Sequence, residues 1–595
     1  MDNLIALAQL NPISGDVEYN KNKACNYIKQ AVEKNAALIV FPELFLVGYP
    51  LGDILTRYPI IAKQAKEALD EIKQYSDKID ILIGYPEINP NNYQKPYYNS
   101  IAYIKQGRIE KIIRKTLLAN YQEHNDYRYF ESYIEHQDRI IEVMGKKFGV
   151  VVCEDSWNDN EFFEKNLYAI DPVEKLKGRI DALICPSSSC SRVKKEQLKN
   201  NLAKFIAKKY NIKYIYINQT GANDELVYEG LSRVYNEKGE VIACAQAFSE
   251  ELLVFDYEKG GNIAPYYRRI EKEEKPIKKF TLDYSSDLER TYLALVTSIK
   301  DYFSKTGFKK AVLGLSGGLD STICACLLAD ALKKENVLGV SMPACITSKE
   351  SKDDAKVLAC NLGINFIEVP IVDMQMAQTQ KFSDIFSTIP KGFIENKGSY
   401  VQDNIQARLR AMVLWGIANK YEKTLTIATS DKSELYMGYA TINGDMSGGF
   451  APICDVVKTK LFALANWMNE NRAQKNAIPR SIIEKPPGAE LAINPKTKKP
   501  LIAADALMPY EFLDEVIWRI ENLNQSIDDM EKEEFLYEKK ENITKTQKTL
   551  WLQKFFKRLK GALYKWYIVP VGPLIDSKSI NKIEYKQPIV SNIDY

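Results

Sequence analysis

The stretch KKAVLGLSGGLDSTICACLLADAL, residues 309–332, passes from one kind of local structure to another within a few residues. AVLGL is an apolar run of strand length, SGG is a turn, and STICACLLADAL is long and apolar enough for a buried helix. A strand that runs through glycines into a helix is the repeating unit of an α/β fold with a parallel sheet. NVLGVSMP (336–343) and INFIEVPI (364–371) extend the pattern with further strands and helical segments between them, which predicts a doubly wound parallel sheet. DLERTYLALVTSIKDYFSKTG (287–307) predicts a helix leading into this unit, with an acid at its start and a glycine at its end. The C-terminal 80 or so residues read as helical and highly charged.

The N-terminal part alternates short β-branched runs with amphipathic ones. LIALAQL (4–10), ALIVFPEL (37–44), DILIGYP (80–86), NSIAYI (99–104), KFGVVVCED (147–155), DALICPSSS (181–189) and KYIYINQTG (213–221) read as buried strands. KACNYIKQAVEKNA (23–36) and KEQLKNNLAKFIAKKYN (195–211) read as helices, and GLSRVYNEKGEVIACA (230–245) as a hairpin turning at Lys238–Gly239. The result is a second, layered α/β domain. Between the two halves the sequence becomes polar and irregular, with Gly-Gly, proline and mixed charges. The expected organisation is a domain over 1–260, a linker over 261–286 and a domain over 287–595.

A chain of 595 residues exceeds what one hydrophobic core organises, so two domains agree with its length. The net charge of +3 gives no field that points to a nucleic acid or a membrane surface. No apolar run has the length of a membrane span, and the N-terminus has no basic region of the secretory kind. Ten cysteines without a CxxC pair argue against zinc and against a secreted disulfide framework, and fit a reducing cytoplasm. Only two histidines are present, His124 and His136, so a multi-histidine metal site is nearly excluded. Any Ser-His or Cys-His hydrolytic centre would have to use one of them. His124 reads as a loop residue.

Cys153, in GVVVCEDSW, lies where a buried strand gives way to polar residues, a place where a nucleophile is held rigidly and remains reachable. Glu43 in IVFPELFLVGYP has the same kind of position, and Lys115 follows the strand-like run IEKIIR. A carboxylate can serve as base for a thiol, and an ammonium can lower the thiol pKa and stabilise an oxyanion. Together, in their order and contexts, the three resemble the Glu-Lys-Cys triad of the nitrilase, or carbon–nitrogen hydrolase, superfamily. The resemblance implies a four-layer αββα sandwich, with Glu43 as general base, Lys115 as oxyanion stabiliser and Cys153 as nucleophile in amide cleavage through a thioester. The family's LPNYxxFDExRYF segment is LANYQEHNDYRYF here, so Asp126 stands where an auxiliary glutamate is usual.

GLSGGLDS (314–321) sits between strand and helix, where paired glycines and a helix N-terminus favour phosphate oxygens; the lysine of a Walker loop is missing. Strand–SGGxDS–helix resembles the PP-loop ATP pyrophosphatases. DNIQARLRAM (403–412), TIATSDKSELYMGYATINGDMSGGFAPICDVVKTKLFALA (426–465), EKPPGAEL (484–491), ALMPYEFLDEVI (506–517) and KFFKRLK (554–560) extend the likeness to the glutamine-dependent NAD synthetase family. That likeness implies a Rossmann-like domain in which Gly314, Leu315, Ser316, Gly317, Gly318, Leu319, Asp320 and Ser321 hold ATP, with Thr429 and Lys458. Asn404, Arg408, Glu434, Asp445 and Lys557 would meet deamido-NAD+, and Asp320 with Glu434 would hold Mg²⁺. Three departures stand out: TSDKSE replaces TGNKSE, so Ser430 and Asp431 are new; Gly488 replaces a serine; and the usually Asp-rich stretch is the basic INPKTKKPLIAADALMPY.

An amidase that frees ammonia and a PP-loop domain that makes an acyl adenylate complement each other, since fusion raises the effective concentration of the nucleophile. The family resemblance implies that Tyr121, Ser189 and Lys195 bind L-glutamine, with the lysine on the α-carboxylate. It further implies a ligase acting on L-glutamine, ATP and deamido-NAD+; a cytoplasmic homo-oligomer is expected, and the near-neutral charge suggests no nucleic-acid or membrane partner. Two other readings of these motifs stay open: a different PP-loop enzyme fused to an amidase and acting on tRNA or on another carboxylate, which the near-neutral charge and absent CxxC disfavour, and a ligand-binding protein without catalysis.

Overall fold

The computed structural model describes residues 3–91, 93–135, 137–270, 280–390, 392–393, 400–488 and 506–579. His136, the end of EKPPGAEL from residue 489, most of the basic stretch before MPY, and residues 271–279 of the expected linker lie outside the described residues. The chain forms two compact units, Met1–Lys275 and Pro276–Tyr595.

The first unit contains β1 (Leu4–Gln9), β2 (Leu38–Val40), β3 (Asp80–Ile88), β4 (Tyr97–Lys105), β5 (Arg108–Arg114), β6 (Ile140–Val143), β7 (Lys146–Val150), β8 (Ala182–Ser187) and β9 (Lys213–Asn218). A short ribbon of β10 (Thr220–Asn223) and β11 (Leu226–Glu229) follows, then β12 (Arg233–Tyr235), β13 (Val241–Cys244) and β14 (Glu251–Asp256). One six-stranded sheet has the order β14-β1-β2-β3-β4-β5, the other β13-β12-β9-β8-β7-β6. In each, three central strands run parallel: β1 with β2 and β3, and β7 with β8 and β9.

Strand periodicity explains the layering. Ile5, Leu7, Leu38, Val40 and Leu82 from one sheet share a core with Phe148, Val150, Ile184, Ile215 and Ile217 from the other, so alternate residues meet between the sheets. The intervening residues face outward to helices. Leu183, Cys185, Tyr214 and Tyr216 pack with Leu202, Ala203 and Ile206 of the helix Lys195–Tyr210. On the other sheet the helix Ile60–Ile72 lies against β3 and beside the helix Val17–Glu33, whose N-terminus Asp16 caps by accepting from the Tyr19 N–H at 3.0 Å. The fold of this unit is the four-layer αββα sandwich. Within the stretch expected to be linker, Pro265–Ile270 is a helix with Tyr266 and Tyr267 buried, and the Tyr267 hydroxyl donates to Asn200 Oδ1 at 3.0 Å. Apolar tyrosine rings draw this part of the segment into the first unit.

In the second unit β15 (Lys310–Gly314), β16 (Val337–Ser341), β17 (Asn365–Glu368) and β18 (Thr424–Thr426) form a parallel sheet of order β17-β16-β15-β18. The order reverses between β15 and β18, and a crevice at such a point is where open α/β sheets bind ligands. The glycine loop leaves β15 there and the TSDKSE turn leaves β18. The helix Leu319–Leu332 that follows the loop is buried along most of its length, as its Ile, Cys, Ala and Leu content predicts. The C-terminal helices Tyr510–Leu523 and Lys545–Trp566 build their own core, in which Phe512, Leu513, Phe555, Leu559 and Trp566 surround Tyr436 and Met437. Among the described residues no helix is long and apolar enough to cross a membrane.

Candidate functional site

The first unit has a pocket lined by Glu43, Lys115, Cys153, Tyr121, Ser189 and Lys195, so all six residues singled out in this half come together. The topology explains why. Glu43 follows β2, Lys115 follows β5, Cys153 follows β7, and Ser189 follows β8. Glu43 is buried and held on every side: Oε1 accepts from Lys115 Nζ at 2.7 Å and Asn99 Nδ2 at 2.8 Å, and Oε2 from the Ser188 N–H at 3.0 Å. The turn that carries it lies close on β3. A Cβ on Gly84 would come within 2.3 Å of Leu44 N and 2.8 Å of Glu43 C, so only glycine fits.

Lys115 also donates to Asp126 Oδ2 at 2.7 Å. The shorter side chain at 126 therefore reaches the lysine, because the short helix Asp126–Tyr129 begins with that residue pointing into the pocket wall. Burial alone would lower the Lys115 ammonium, but Asp126 and Glu43 outweigh it and hold the ammonium well above the usual lysine range. Cys153 opens a single 3₁₀ turn with φ of 45°. Lys115 lowers its thiol, as expected, but is outweighed. Burial and the neighbouring Glu43 push it well above the usual thiol range, and the Lys115 ammonium offsets only part of that. The resting nucleophile is a neutral thiol that needs a base at the moment of attack.

Further residues complete this pocket without a sequence motif that announces them. His124 lies in a loop, as expected, and that loop buries it in the pocket wall: Nδ1 lies 3.2 Å from the Tyr49 hydroxyl and Nε2 3.3 Å from Lys195 Nζ. Glu154 accepts from the hydroxyls of Tyr121 at 2.8 Å and Tyr168 at 2.9 Å, which sets the Tyr121 ring. Lys195 is already engaged, donating to Glu123 Oε1 at 3.2 Å and Cys190 Sγ at 3.4 Å. Arg192 donates to Glu123 Oε2 at 3.0 Å. Burial would raise the Glu123 carboxyl, but Lys195 and Arg192 hold it well below the usual range. Ser189 is anchored by its backbone, with its N–H on Asn218 Oδ1 at 2.8 Å.

In the second unit, Gly314, Leu315, Ser316, Gly317 and Gly318 carry the chain from β15 to the helix that starts with Leu319, Asp320 and Ser321. Ser316 and Ser321 hydroxyls lie 3.1 Å apart, and the Gly318 N–H donates to Ser316 Oγ at 3.2 Å. Gly317 has φ of 76°, and a Cβ there would lie 2.2 Å from Ser351 O. Thr429 lies in the turn after β18. Lys458 Nζ is buried among carboxylates: both oxygens of Asp320 at 2.7 and 2.8 Å, Asp431 Oδ2 at 2.6 Å and Glu434 Oε1 at 3.0 Å. Burial would lower this ammonium, and the three carboxylates hold it well above its usual range. Asp431, which stands where the TGNKSE pattern has asparagine, caps the helix Lys432–Tyr436 by accepting from the Glu434 N–H at 3.0 Å. Burial pushes its carboxyl up to about 6 against the pull of Lys458.

Asn404 and Arg408 lie one turn apart on the helix Val401–Lys420, and both reach the turn that holds Asp445. Asn404 Oδ1 accepts from Thr441 Oγ1 at 2.8 Å, Arg408 Nε donates to Ile442 O at 3.2 Å, and Asp445 Oδ1 accepts from the Thr441 N–H at 2.7 Å. Lys557 is exposed on the helix Lys545–Trp566. Its neighbours on that helix make the contacts to the 437–440 turn instead: Arg558 Nε to Met437 O at 3.0 Å, and Lys565 Nζ to Gly438 O at 2.8 Å and Ala440 O at 2.6 Å.

Residues 4–260 match the carbon-nitrogen hydrolase family and residues 291–558 the NAD synthase family. A glutamine-dependent NAD(+) synthetase of Synechocystis sp. is 36% identical over 529 residues, spanning 88% of this chain and 89% of that one. One from Aquifex aeolicus is 34% identical over 606 residues, spanning 99% of both. Among solved structures, a glutamine-dependent NAD+ synthetase from Acinetobacter baumannii in complex with ADP matches with a TM-score of 0.70 at 29% identity, covering 99% of each chain.

Proposed function

Because the chain belongs to the glutamine-dependent NAD(+) synthetases, we propose a residue-level account of the two half-reactions that such a ligase joins. The enzyme makes NAD+ from deamido-NAD+ with ATP, taking its nitrogen from L-glutamine and releasing AMP, diphosphate and glutamate. In our reading residues 1–260 carry the glutaminase and residues 287–595 the synthetase, with 261–286 between them. The observation that supports this most directly is the pocket in which Glu43, Lys115 and Cys153 meet.

Glutamine enters with its carboxylate toward Lys195 and its side chain between Tyr121 and Ser189. Glu43 takes the thiol proton as Cys153 Sγ attacks the amide carbon, so that the thiolate forms only when it is used. The Lys115 ammonium, kept charged by Asp126, meets the negative charge that develops on the amide oxygen. Glu43 returns the proton to the leaving nitrogen, ammonia departs, and a thioester remains. Glu43 then deprotonates the water that hydrolyses the thioester to glutamate.

In the second unit the loop Gly314–Ser321 and Thr429 hold ATP, and Asn404, Arg408, Glu434, Asp445 and Lys557 hold deamido-NAD+. Its carboxylate oxygen attacks the α-phosphorus and diphosphate leaves; ammonia attacks the acyl carbon and AMP leaves. Hard carboxylate oxygens of Asp320, Asp431 and Glu434, all within 4.8 Å of one another around the Lys458 ammonium, suit a hard divalent cation. Mg²⁺ held by Asp320 and Glu434, with Asp431 as a third carboxylate where the TGNKSE pattern has asparagine, would neutralise charge on the polyphosphate. With such a cation bound there, the Lys458 ammonium would be available to the phosphates.

The test is a product assay with deamido-NAD+, ATP, Mg²⁺ and either glutamine or ammonium. Cys153→Ala should lose glutamine-supported synthesis and keep ammonium-supported synthesis; equal loss with both nitrogen sources would refute the assignment.

A further inference from the structure

Lys195, His124, Tyr49, Asp126, Lys115 and Glu43 form an unbroken run of hydrogen bonds across the wall of the first pocket. Lys195 Nζ is 3.3 Å from His124 Nε2, and His124 Nδ1 is 3.2 Å from the Tyr49 hydroxyl. That hydroxyl donates to Asp126 Oδ1 at 2.8 Å, and Lys115 bridges Asp126 Oδ2 and Glu43 Oε1 at 2.7 Å each. His124, Tyr49, Asp126, Lys115 and Glu43 are all buried, where a hydrogen bond is stronger than in water.

The proton positions along this run follow from donor and acceptor chemistry. An ammonium has only hydrogens to give, so His124 Nε2 must accept from Lys195. A neutral imidazole then carries its one hydrogen on Nδ1 and donates it to the Tyr49 oxygen. Burial and the adjacent Lys195 hold His124 down at about 4, which keeps it neutral at ordinary pH. With its oxygen accepting from His124, Tyr49 has its own hydrogen left for Asp126. Every hydrogen bond from Lys195 onward thus points toward the carboxylate that fixes the catalytic lysine.

We propose that His124 is a positioning residue: it orients the Tyr49 hydroxyl onto Asp126, thereby fixing the Lys115–Glu43 pair, and ties that pair to the lysine that meets the substrate carboxylate. The proposal rests on the glutaminase reading above. His124 acts only through Tyr49 and Lys195 and does not touch the reacting atoms. Lys195 offers three hydrogens, and Glu123, His124 and Cys190 use them in the free pocket. A bound carboxylate takes over one of them, so the run is the path along which occupancy of the carboxylate site reaches the catalytic pair.

The test compares glutaminase kinetics of four variants of the full-length enzyme, with ammonium-supported synthesis as the measure that the chain is intact. His124→Phe keeps a planar ring and removes both nitrogens. It should lower kcat for glutamate release roughly 10- to 100-fold, the range expected when a catalytic group is slightly misplaced, and leave KM for glutamine within a few-fold. Tyr49→Phe should do the same, and the His124→Phe/Tyr49→Phe double variant should be no worse than either, because both cut one path. His124→Asn, whose amide nitrogen replaces Nδ1, should recover most of kcat, whereas His124→Gln, whose amide replaces Nε2, should not. A loss confined to KM, multiplicative losses in the double variant, or equal activity of the Asn and Gln variants would overturn the proposal. If His124→Phe also lowers ammonium-supported synthesis, the Asn and Gln variants decide, since each carries one polar amide and they place it at different ring-nitrogen positions. Cys153→Ala run in parallel separates the two readings: retention of glutamine turnover there would remove the glutaminase assignment itself.

Discussion

Lys115 Nζ donates to Glu43 Oε1 at 2.7 Å, and neither side chain is more than 2% exposed. This pair acts on the Cys153 thiol in opposite senses. Glu43 raises the thiol and Lys115 lowers it, with burial adding to the side of Glu43.

Glu43→Gln should therefore separate two properties that are often assumed to move together. Loss of the base should lower glutamine hydrolysis by about 10²- to 10⁴-fold. Loss of the negative charge should lower the thiol pKa, so that at pH 8 more thiolate is present and iodoacetamide labels Cys153 faster. In the unmodified enzyme the labelling rate should still be climbing above pH 9, because the folded thiol ionises above its usual range. Slower labelling of the variant at pH 8 would show that Glu43 does not face the sulfur.

Gly84→Ala tests the geometry that brings Glu43 to this position. The added methyl would meet Leu44 N at 2.3 Å and Pro42 O at 2.6 Å, backbone atoms that cannot rotate away. The turn must shift, at about 1–3 kcal/mol for overpacking of this kind, and Glu43 shifts with it. Glutamine-supported synthesis should fall at least 10-fold and the first thermal transition should move down, while ammonium-supported synthesis persists. An unchanged ratio between the two nitrogen sources would mean that the turn accommodates the methyl without moving the carboxylate.

Much of both sites is legible in the sequence because the signals are local. Glu43, Cys153 and the Gly314–Ser321 loop are each announced by an apolar run that ends in polar or glycine residues, and strands do end there or just before. What is not legible depends on partners far along the chain. His124 has no motif of its own: Tyr49 lies 75 residues before it and Lys195 71 residues after it. Tyr266 and Tyr267, in a stretch whose charge and glycines suggest a linker, are buried, and Tyr267 bonds to Asn200, which no local pattern connects to it. The thiol of Cys153 shows the same limit in energetic form. The lysine nearby was readable, but burial and the carboxylate that outweigh it belong to the assembled pocket.

Asp431→Asn addresses the carboxylate that distinguishes this chain from the TGNKSE pattern. Asparagine caps a helix as well as aspartate, so the bond to the Glu434 N–H and the helix Lys432–Tyr436 should survive. One negative charge leaves the cluster, and the Mg²⁺ concentration that half-saturates ammonium-supported synthesis should rise several-fold. Titration of Mn²⁺ with the protein, read by the loss of free-ion paramagnetic signal, should show the same weakening without turnover. Equal metal affinity in the two proteins would leave Asp431 as a cap alone.

Lys458→Met tests whether the ammonium and a metal ion are alternatives at that cluster. Removing the cation leaves Asp320, Asp431 and Glu434 gathered without a counter-charge, and breaking one side of a buried ion pair costs about 3–5 kcal/mol. The melting temperature of the second unit should fall in EDTA. Millimolar Mg²⁺ should then restore more stability to the variant than it adds to the unmodified protein, because a divalent ion supplies the charge that the lysine no longer does. Synthesis should stay low even in Mg²⁺, since in the proposed reading Lys458 is also required at the phosphates. A variant whose melting temperature responds to Mg²⁺ no more than the unmodified protein does would place the metal elsewhere and leave the lysine as a structural counter-ion.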